Sequence, residues 1–91
     1  MSFEWDPVKA AANLRKHGVR FSEAEPVFAD DFAITITDDE SALHEQRFVS
    51  IGMGVKGRIL VVVSCYRDRK IRLISARLAE AHERKQYEEH R

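Results

Sequence analysis

The pattern of apolar and polar residues begins with a helix that has clear signals at both ends. Asp6 followed by Pro7 is typical of an N-cap with proline at the first helical position. Gly18 suits the left-handed residue that follows a last turn, and the basic residues before it favour the negative end of the helix dipole. The pattern therefore predicts a helix from Pro7 to about His17.

A second helical signal follows after a few residues. Ser22 and Glu25 have the spacing of a capping box, in which each side chain binds a backbone N–H at the start of a helix. Pro26 falls in the first turn, where backbone N–H groups have no partner within the helix. This predicts a short helix from about Glu23 to Ala29.

From residue 32 the apolar residues recur at every second position, which is the period of a β-strand. A polar loop is predicted at 38–42, and short turns at 54–57 and 67–69 favour antiparallel neighbours. The third strand is apolar on both faces and should lie inside the sheet. The strands are predicted at 32–37, Arg47–Met53, Ile59–Tyr66 and Lys70–Ala76.

The last segment predicts a helix from about Leu78 to Glu89 with a thin apolar stripe, so we expect it to be held loosely. The predicted fold class is therefore α+β, with two N-terminal helices, a four-stranded antiparallel sheet and a C-terminal helix. At 91 residues, without repeats or linkers, the chain should form a single domain over residues 1–91.

Composition excludes several classes of protein. Apolar residues make up 44% and charged residues 33%, the balance of a globular protein and not of a disordered tail. No run approaches the roughly 18 apolar residues of a membrane helix, and the N-terminus is acidic where a signal peptide is basic, so a cytoplasmic protein is expected. The single cysteine, Cys65, lies in an apolar strand pattern where burial is the ordinary interpretation.

The formal net charge of zero conceals a polarised chain. Residues 1–66 carry 7 Lys and Arg against 10 Asp and Glu, a net −3, whereas residues 67–91 carry 8 against 5, a net +3. Within 67–77 the basic residues exceed the single acidic one, Asp68, by four charges. That excess favours a polyanion as the partner.

The motifs that the sequence lacks exclude several kinds of catalytic site. There is no glycine-rich phosphate loop, no nucleophile elbow, and no spacing of His, Cys and carboxylates typical of a metal site, so neither a metal nor a cofactor is expected. Phosphodiesters that arginines can hold remain as substrates. RNA can be cut without a metal, because its 2′-hydroxyl attacks the neighbouring phosphate and the protein need only move protons and stabilise negative charge.

The sequence also resembles a known family over essentially its full length. The opening strings are Phe3-Glu4-Trp5-Asp6, with Lys9 and Asn13, and Lys16-His17-Gly18-Val19-Arg20-Phe21, followed by Glu23-Ala24. Later strings are Glu45-Gln46-Arg47-Phe48, Ile51-Gly52, Val61-Val62-Val63, Ile71 to Ala79, Glu83-Arg84 and Tyr87. In this order and at these spacings they resemble BrnT-type toxins.

The resemblance implies a type II toxin, similar in fold to RelE-type ribonucleases, that arrests growth by cleaving RNA. It further implies a small DNA-binding antitoxin from the same operon that neutralises the toxin. Toxin and antitoxin of this family typically form a two-plus-two complex that represses its own promoter.

Candidate site residues follow from the charge pattern and the resemblance together. Arg77 and Arg47 would stabilise the transition state, and His17 or Glu83 would handle protons. Arg77 is in phase with Ile71 and Leu73, so it is expected on the face that those residues share. The residues expected to position RNA are Lys16, Arg67, Arg69, Arg72 and Tyr87.

Alternatives stay open at four points. Arg77 suits either a phosphate clamp or a structural ion pair with a helix carboxylate, and Lys16 and His17 also stabilise a helix end without any further role. The hairpin arginines suit an acidic antitoxin segment as well as RNA. The whole chain could also be a non-catalytic binding module that forms a regulatory complex with a DNA-binding partner.

Overall fold

The structure, a computed structural model, describes residues 1–38 and 45–91. Beyond Asp38, the predicted loop lies outside the described residues. The helices are α1 (Pro7–His17), α2 (Phe21–Ala24), which continues as a 3₁₀ turn (Glu25–Ala29), and α3 (Ala81–His90). The strands are β1 (Phe3–Glu4), β2 (Ile34–Asp38), β3 (Arg47–Met53), β4 (Ile59–Arg67) and β5 (Lys70–Leu78).

Helix α1 has the predicted ends. The Asp6 carboxylate accepts a hydrogen bond from the Val8 N–H at 2.9 Å, and Gly18 is left-handed with φ 68° while its N–H donates to the Leu14 carbonyl. Both caps were read from residue type alone, and both are confirmed.

The predicted capping box of Ser22 and Glu25 is wrong. Helix α2 starts at Phe21, two residues earlier than predicted, has no side-chain cap and tightens into the 3₁₀ turn. Phe21 is 2% exposed and Val27 1% exposed, so burial of these side chains sets where the segment lies, and local capping does not.

The sheet has five strands in the order β1-β5-β4-β3-β2. The four predicted strands pair as antiparallel neighbours, as expected. The fifth, β1, was not predicted, and it pairs parallel to β5, with Phe3 opposite Ile71 and Glu4 opposite Arg72. The α+β class is confirmed, but the sheet is mixed, since β1 is parallel to β5. Strand β1 could not be predicted because two residues are too few to show a strand period.

One face of the sheet is covered by α1, α2 and the 3₁₀ turn, and we call it the helix face. Its core includes Phe21, Leu60, Val62, Leu73 and Ala76. Cys65, at 2% exposure, lies on the opposite face, and its predicted burial is confirmed.

The buried side chain of Asn13 joins α1 to β5. Its amide donates to the carbonyls of Ala76 at 2.8 Å and Val19 at 3.0 Å, and its oxygen accepts from the Ala76 N–H at 3.1 Å. Since β1 pairs only with residues 71 and 72, the amide takes the place of a neighbouring strand at Ala76.

Helix α3 lies on the opposite face, which we call the open face. It begins at Ala81 instead of Leu78, because β5 extends far enough for Leu78 to pair with Leu60. The thin apolar stripe is confirmed, since Tyr87 is the buried residue of α3. Specific polar contacts nevertheless fasten the helix, including Tyr87 to Asp30 at 2.6 Å and His90 to the Phe32 carbonyl at 3.1 Å.

Candidate functional site

Four arginines share the open face of the sheet. In the strand register Arg47 lies beside Cys65, and Cys65 lies beside Arg72, so the three form one row across β3, β4 and β5. Cys65 lies two residues before Arg67 on β4, so the two side chains point to the same face of the sheet. Arg77 pairs with Val61, which belongs to the same face.

A β-bulge in β5 is responsible for this arrangement. Val63 is opposite Ser75, but the next residue, Ser64, is opposite Leu73, so Ile74 is an extra residue in β5. Arg72 and Arg77 are an odd number of positions apart and would point to opposite faces of a regular strand. The bulge brings both to the open face.

The bulge also corrects the expected orientation of Arg77. Its predicted phase with Ile71 and Leu73 would have placed it in the core that those residues form. That prediction is wrong, because the phase of the strand changes at Ile74.

Arg77 holds Glu83 of α3 through both of its terminal nitrogens. The distances to the two carboxylate oxygens are 2.8 and 2.9 Å, and the Glu80 N–H donates to the same carboxylate at 2.8 Å. The hydrogen bonds from Arg77, and secondarily the one from Glu80, lower the pKa of Glu83 to about 2. Glu83 is therefore ionised at neutral pH and a weak proton acceptor while this pair is intact.

The Arg77–Glu83 pair bears on whether Arg77 is a structural ion-pair partner or a phosphate clamp. The side chain is joined to a helix carboxylate, as one alternative proposed, yet 36% of it is exposed. A phosphate can therefore approach the guanidinium from solvent and compete with Glu83 for its N–H groups.

Glutamates also partner two of the other arginines. Arg72 meets Glu4 of β1 at 2.7 Å, which fastens β1 to β5. Arg67 meets Glu45 at 2.6 Å, in a pair that is about as exposed as it is buried. Hydrogen bonding from Arg67 lowers the pKa of Glu45. A pair as exposed as Arg67–Glu45 contributes little to stability, so exchanging its glutamate for phosphate costs little.

Arg47 differs from these three. The ion pairs formed within residues 1–38 and 45–91 join Arg58 to Glu23 and the three arginines above to their glutamates, and Arg47 is not among them. Its neighbour Cys65 is unsuited to nucleophilic chemistry, since burial raises the pKa of the thiol.

The β4–β5 hairpin extends the basic surface beyond the sheet. Asp68 and Arg69 both have positive φ, of 52° and 66°, as the two central residues of a type I′ turn require. Arg69 and Lys70 are exposed there. The predicted polyanion surface thus has exposed cations at its tip.

Lys16 and His17 lie apart from the arginines. They end α1, which packs on the helix face through Asn13 and Ala76, whereas Arg47 and Arg77 lie on the open face. Lys16 is exposed and His17 half-buried. The structure therefore does not bring His17 together with Arg77, although it does bring Glu83 there.

Tyr87 is placed where RNA has no access to it. Its ring is 2% exposed and its hydroxyl donates to Asp30. Burial raises the pKa of this hydroxyl, and the bond to Asp30 adds to the effect. Of Glu83 and Tyr87, Glu83 contacts Arg77, whereas Tyr87 anchors α3 to Asp30.

Sequence reasoning missed the carboxylates that organise this site. Asp30 accepts hydrogen bonds from Tyr87 and from the N–H groups of Phe32 and Met53. Glu4 gave no signal, because its partner Arg72 is distant in sequence. Glu45 pairs with the distant Arg67 and not with Arg47, its neighbour in sequence.

Two further findings concern metal binding and membrane-spanning helices. Among the described residues, no three His, Cys, Asp or Glu side chains are grouped so that they could bind a metal ion. None of the helices described has the length and apolar character to cross a membrane.

Comparison with known proteins shows which family this chain resembles. The model of a family described as the ribonuclease toxin BrnT of type II toxin–antitoxin systems matches residues 5–83. The crystal structure of the Brucella abortus ribonuclease toxin BrnT superposes with a TM-score of 0.71 at 24% identity, covering 88% of this chain and 97% of that one. Among curated proteins, no match is found.

The chain is therefore a ribonuclease toxin of a type II toxin–antitoxin system. Within that class it belongs to the BrnT family. The RelE-like α+β arrangement and the ribonuclease function expected from the resemblance are confirmed, and the family favours the enzyme over the non-catalytic binding module. A ribonuclease toxin of a type II system has RNA as its substrate and a cognate antitoxin as its partner.

Proposed function

We propose that this toxin cleaves RNA without a metal ion and holds the RNA backbone on the arginines of the open face. The observation that supports this is the shared orientation of Arg47, Arg67, Arg72 and Arg77 on one side of the sheet. Guanidinium groups bind phosphate through paired N–H donors, and a row of them suits a polyanionic strand.

The reaction needs only proton transfers and charge stabilisation. The RNA 2′-oxygen loses its proton and attacks the adjacent phosphorus, the bond from phosphorus to the 5′-oxygen breaks, and that oxygen gains a proton. The products are a 2′,3′-cyclic phosphate and a 5′-hydroxyl. Arg77 and Arg47 would stabilise the additional negative charge on the phosphoryl oxygens.

Glu83 is better placed than His17 to accept the proton, because it already contacts Arg77. A phosphate that takes the N–H groups of Arg77 would remove the main cause of the low pKa of Glu83. The pKa would then rise towards its ordinary value of 4.5, and Glu83 would become a stronger base as substrate binds.

The remaining predicted residues would position RNA or meet the antitoxin. Arg67, Arg69 and Arg72 would contact phosphates, and Lys16 would do so only for a strand that reaches the helix face. An acidic antitoxin segment would compete for the same arginines. We further propose a two-plus-two assembly with a DNA-binding antitoxin, growth arrest by the free toxin, and a cytoplasmic location.

The decisive experiment is cleavage of a labelled RNA by the purified chain in the presence of EDTA. Replacing Arg77 with alanine should lower kcat by about 100- to 1000-fold, the usual effect of removing one donor to a developing negative charge. Lys85→Ala, on the exposed surface of α3, is the matched control and should cleave as wild type does.

Thermal unfolding of each variant separates loss of chemistry from loss of fold. If the wild type cleaves only when a divalent ion is added, the metal-free mechanism is wrong. If folded Arg77→Ala cleaves as fast as Lys85→Ala, Arg77 does not stabilise the transition state.

A further inference from the structure

A cleft on the helix face has no role in the mechanism above. It has a volume of about 210 Å³ and lies between the 3₁₀ turn and strands β2 to β5. Aromatic rings and hydroxyl groups line it, namely Phe28, Phe48, Tyr66, Thr35, Ser50 and Ser64. Proteins bind unstacked nucleobases with this combination of side chains.

The aromatic wall of the cleft includes an unusually exposed ring. Tyr66 is 65% exposed, and Phe48 meets it edge to face, with the ring centroids 5.9 Å apart. Since Phe48 holds the tyrosine ring from one side and most of Tyr66 is exposed, the ring offers a ready surface for stacking.

Small hydroxyl residues form the floor of the cleft. Ser50 and Ser64 are each 3% exposed. Ser64 follows the buried aliphatic residues Leu60 and Val62 on the same face of β4. The Ser50 hydroxyl lies 3.0 Å from that of Thr35. Serine leaves space where valine would fill it, and each hydroxyl can both donate and accept a hydrogen bond to the edge of a base.

The cleft opens beside the basic hairpin. Tyr66 directly precedes Arg67, and the lining residue Ile71 directly follows Lys70. A ring placed against Tyr66 therefore has its sugar and phosphate near the turn of the hairpin, where Arg69 is exposed. Arg67 and Lys70 are paired next to Tyr66 and Ile71 and point to the open face, so the RNA backbone would reach them by crossing the hairpin. The cleft is smaller than the roughly 300–1000 Å³ of drug-sized sites, so it suits a single base.

We propose that this cleft binds one unpaired nucleobase of the RNA substrate, stacked on Tyr66 and hydrogen-bonded to the hydroxyls of Thr35, Ser50 and Ser64. The proposal rests on the proposed function, because it requires the RNA backbone to cross the hairpin. The base in the cleft would determine which RNA sequences are bound best.

The first test measures binding apart from cleavage. The four nucleoside 5′-monophosphates are titrated into the isotope-labelled chain, and NMR shifts are followed. We expect the shifts to centre on Phe48, Ser50, Ser64 and Tyr66 and to differ among the four bases. Shifts confined to the hairpin, with none in the cleft, would overturn the proposal.

The second test uses an RNA with 2′-O-methyl groups, which cannot be cleaved. Tyr66→Ala should weaken its binding by about 5- to 150-fold, the usual effect of removing a stacking ring, whereas Tyr66→Phe should bind as wild type does. Phe32→Ala removes another partly exposed ring outside the cleft and should leave binding unchanged.

Thr35→Val then tests the hydroxyl floor. It keeps the shape of the side chain and removes one hydroxyl, so the order of preference among the monophosphates should change. An unchanged order would show that this hydroxyl does not contact the base and would overturn that part of the proposal.

These outcomes are independent of the cleavage chemistry. If the wild type fails to cleave RNA but the monophosphates bind in the cleft, the proposed mechanism fails and the base site stands. If Tyr66→Ala binds and cleaves RNA normally but escapes the antitoxin, the cleft is an antitoxin contact and the base site is wrong.

Discussion

Glu83 serves two partners with one carboxylate. It accepts hydrogen bonds from Arg77 of β5 and from the Glu80 N–H that starts α3. The first contact belongs to the arginine surface and the second to the helix cap. A substitution at this residue therefore affects both charge and helix geometry. Glutamine removes the charge but keeps an oxygen that can accept from the Glu80 N–H.

Glu83→Gln should lower the free energy of unfolding by about 1–2 kcal/mol at pH 7, an estimate reduced for the exposure of Arg77 to solvent. The pKa of Glu83 is lowered from 4.5 to about 2 in the folded chain, so its contribution is complete above pH 4.5 and is lost as the pH falls towards 2. Urea unfolding at a series of pH values measures the difference between variant and wild type.

That difference should shrink steadily on acidification. Glu88→Gln, an exposed glutamate of the same helix, serves as the control and should follow the wild type at every pH. A gap between Glu83→Gln and wild type that stays constant down to pH 2 would show that the charge pair with Arg77 is not its origin.

At the scale of elements, the caps of α1 and the ends of β3 could be predicted because their signals lie in neighbouring residues. The bounds of α2 and α3 could not, since distant packing set the first and the pairing of Leu78 with Leu60 set the second. The bulge at Ile74 likewise appears only in the register of β4 against β5.

The contacts that attach α3 to the rest of the molecule could likewise be predicted only in part from the sequence. Its poor apolar stripe correctly predicted little burial, but the bond from Tyr87 to Asp30 spans 57 positions and has no local signal. Asp30 in turn binds the Met53 N–H at the end of β3. Asp30 thus links the buried residue of α3 to the sheet, in addition to the contacts of Glu83 and His90.

Tyr87→Phe should lower the free energy of unfolding by about 1.5–3 kcal/mol, because it removes a hydrogen bond to a charged group and leaves the ring in place. Amide hydrogen exchange should show the largest loss of protection within α3. His82→Ala, on the exposed surface of the same helix, should change neither quantity. Equal exchange in Tyr87→Phe and wild type would mean that other contacts hold the helix.

At the scale of the whole molecule, the net charge is zero although one surface is rich in arginines. The glutamates that pair with these arginines come from three different segments of the chain. Glu4 precedes α1, Glu45 precedes β3 and Glu83 lies in α3. The polarised charge of the sequence correctly identified the basic segment. The row of Arg47, Cys65 and Arg72 was not predictable, since it depends on the register of three strands.

Binding of RNA should therefore weaken steeply with salt. Arg69→Gln should reduce the slope of log K against log salt concentration by about 0.7, the value of one phosphate contact on a single strand. Lys9→Gln, an exposed cation of α1, should leave the slope unchanged. Fluorescence anisotropy of a labelled, cleavage-resistant RNA measures both, and equal slopes for the two variants would remove Arg69 from the RNA surface.

The bulge in β5 makes this toxin more tolerant of exchanged residues than of a changed chain length. Ile74 adds one position between Arg72 and Arg77, and the common orientation of the two arginines depends on that count more than on the side chain at 74. Deleting one residue there would restore regular alternation and turn one arginine towards the helix layer. Natural variation at this point should therefore consist of substitutions, with insertions and deletions found instead in the turns.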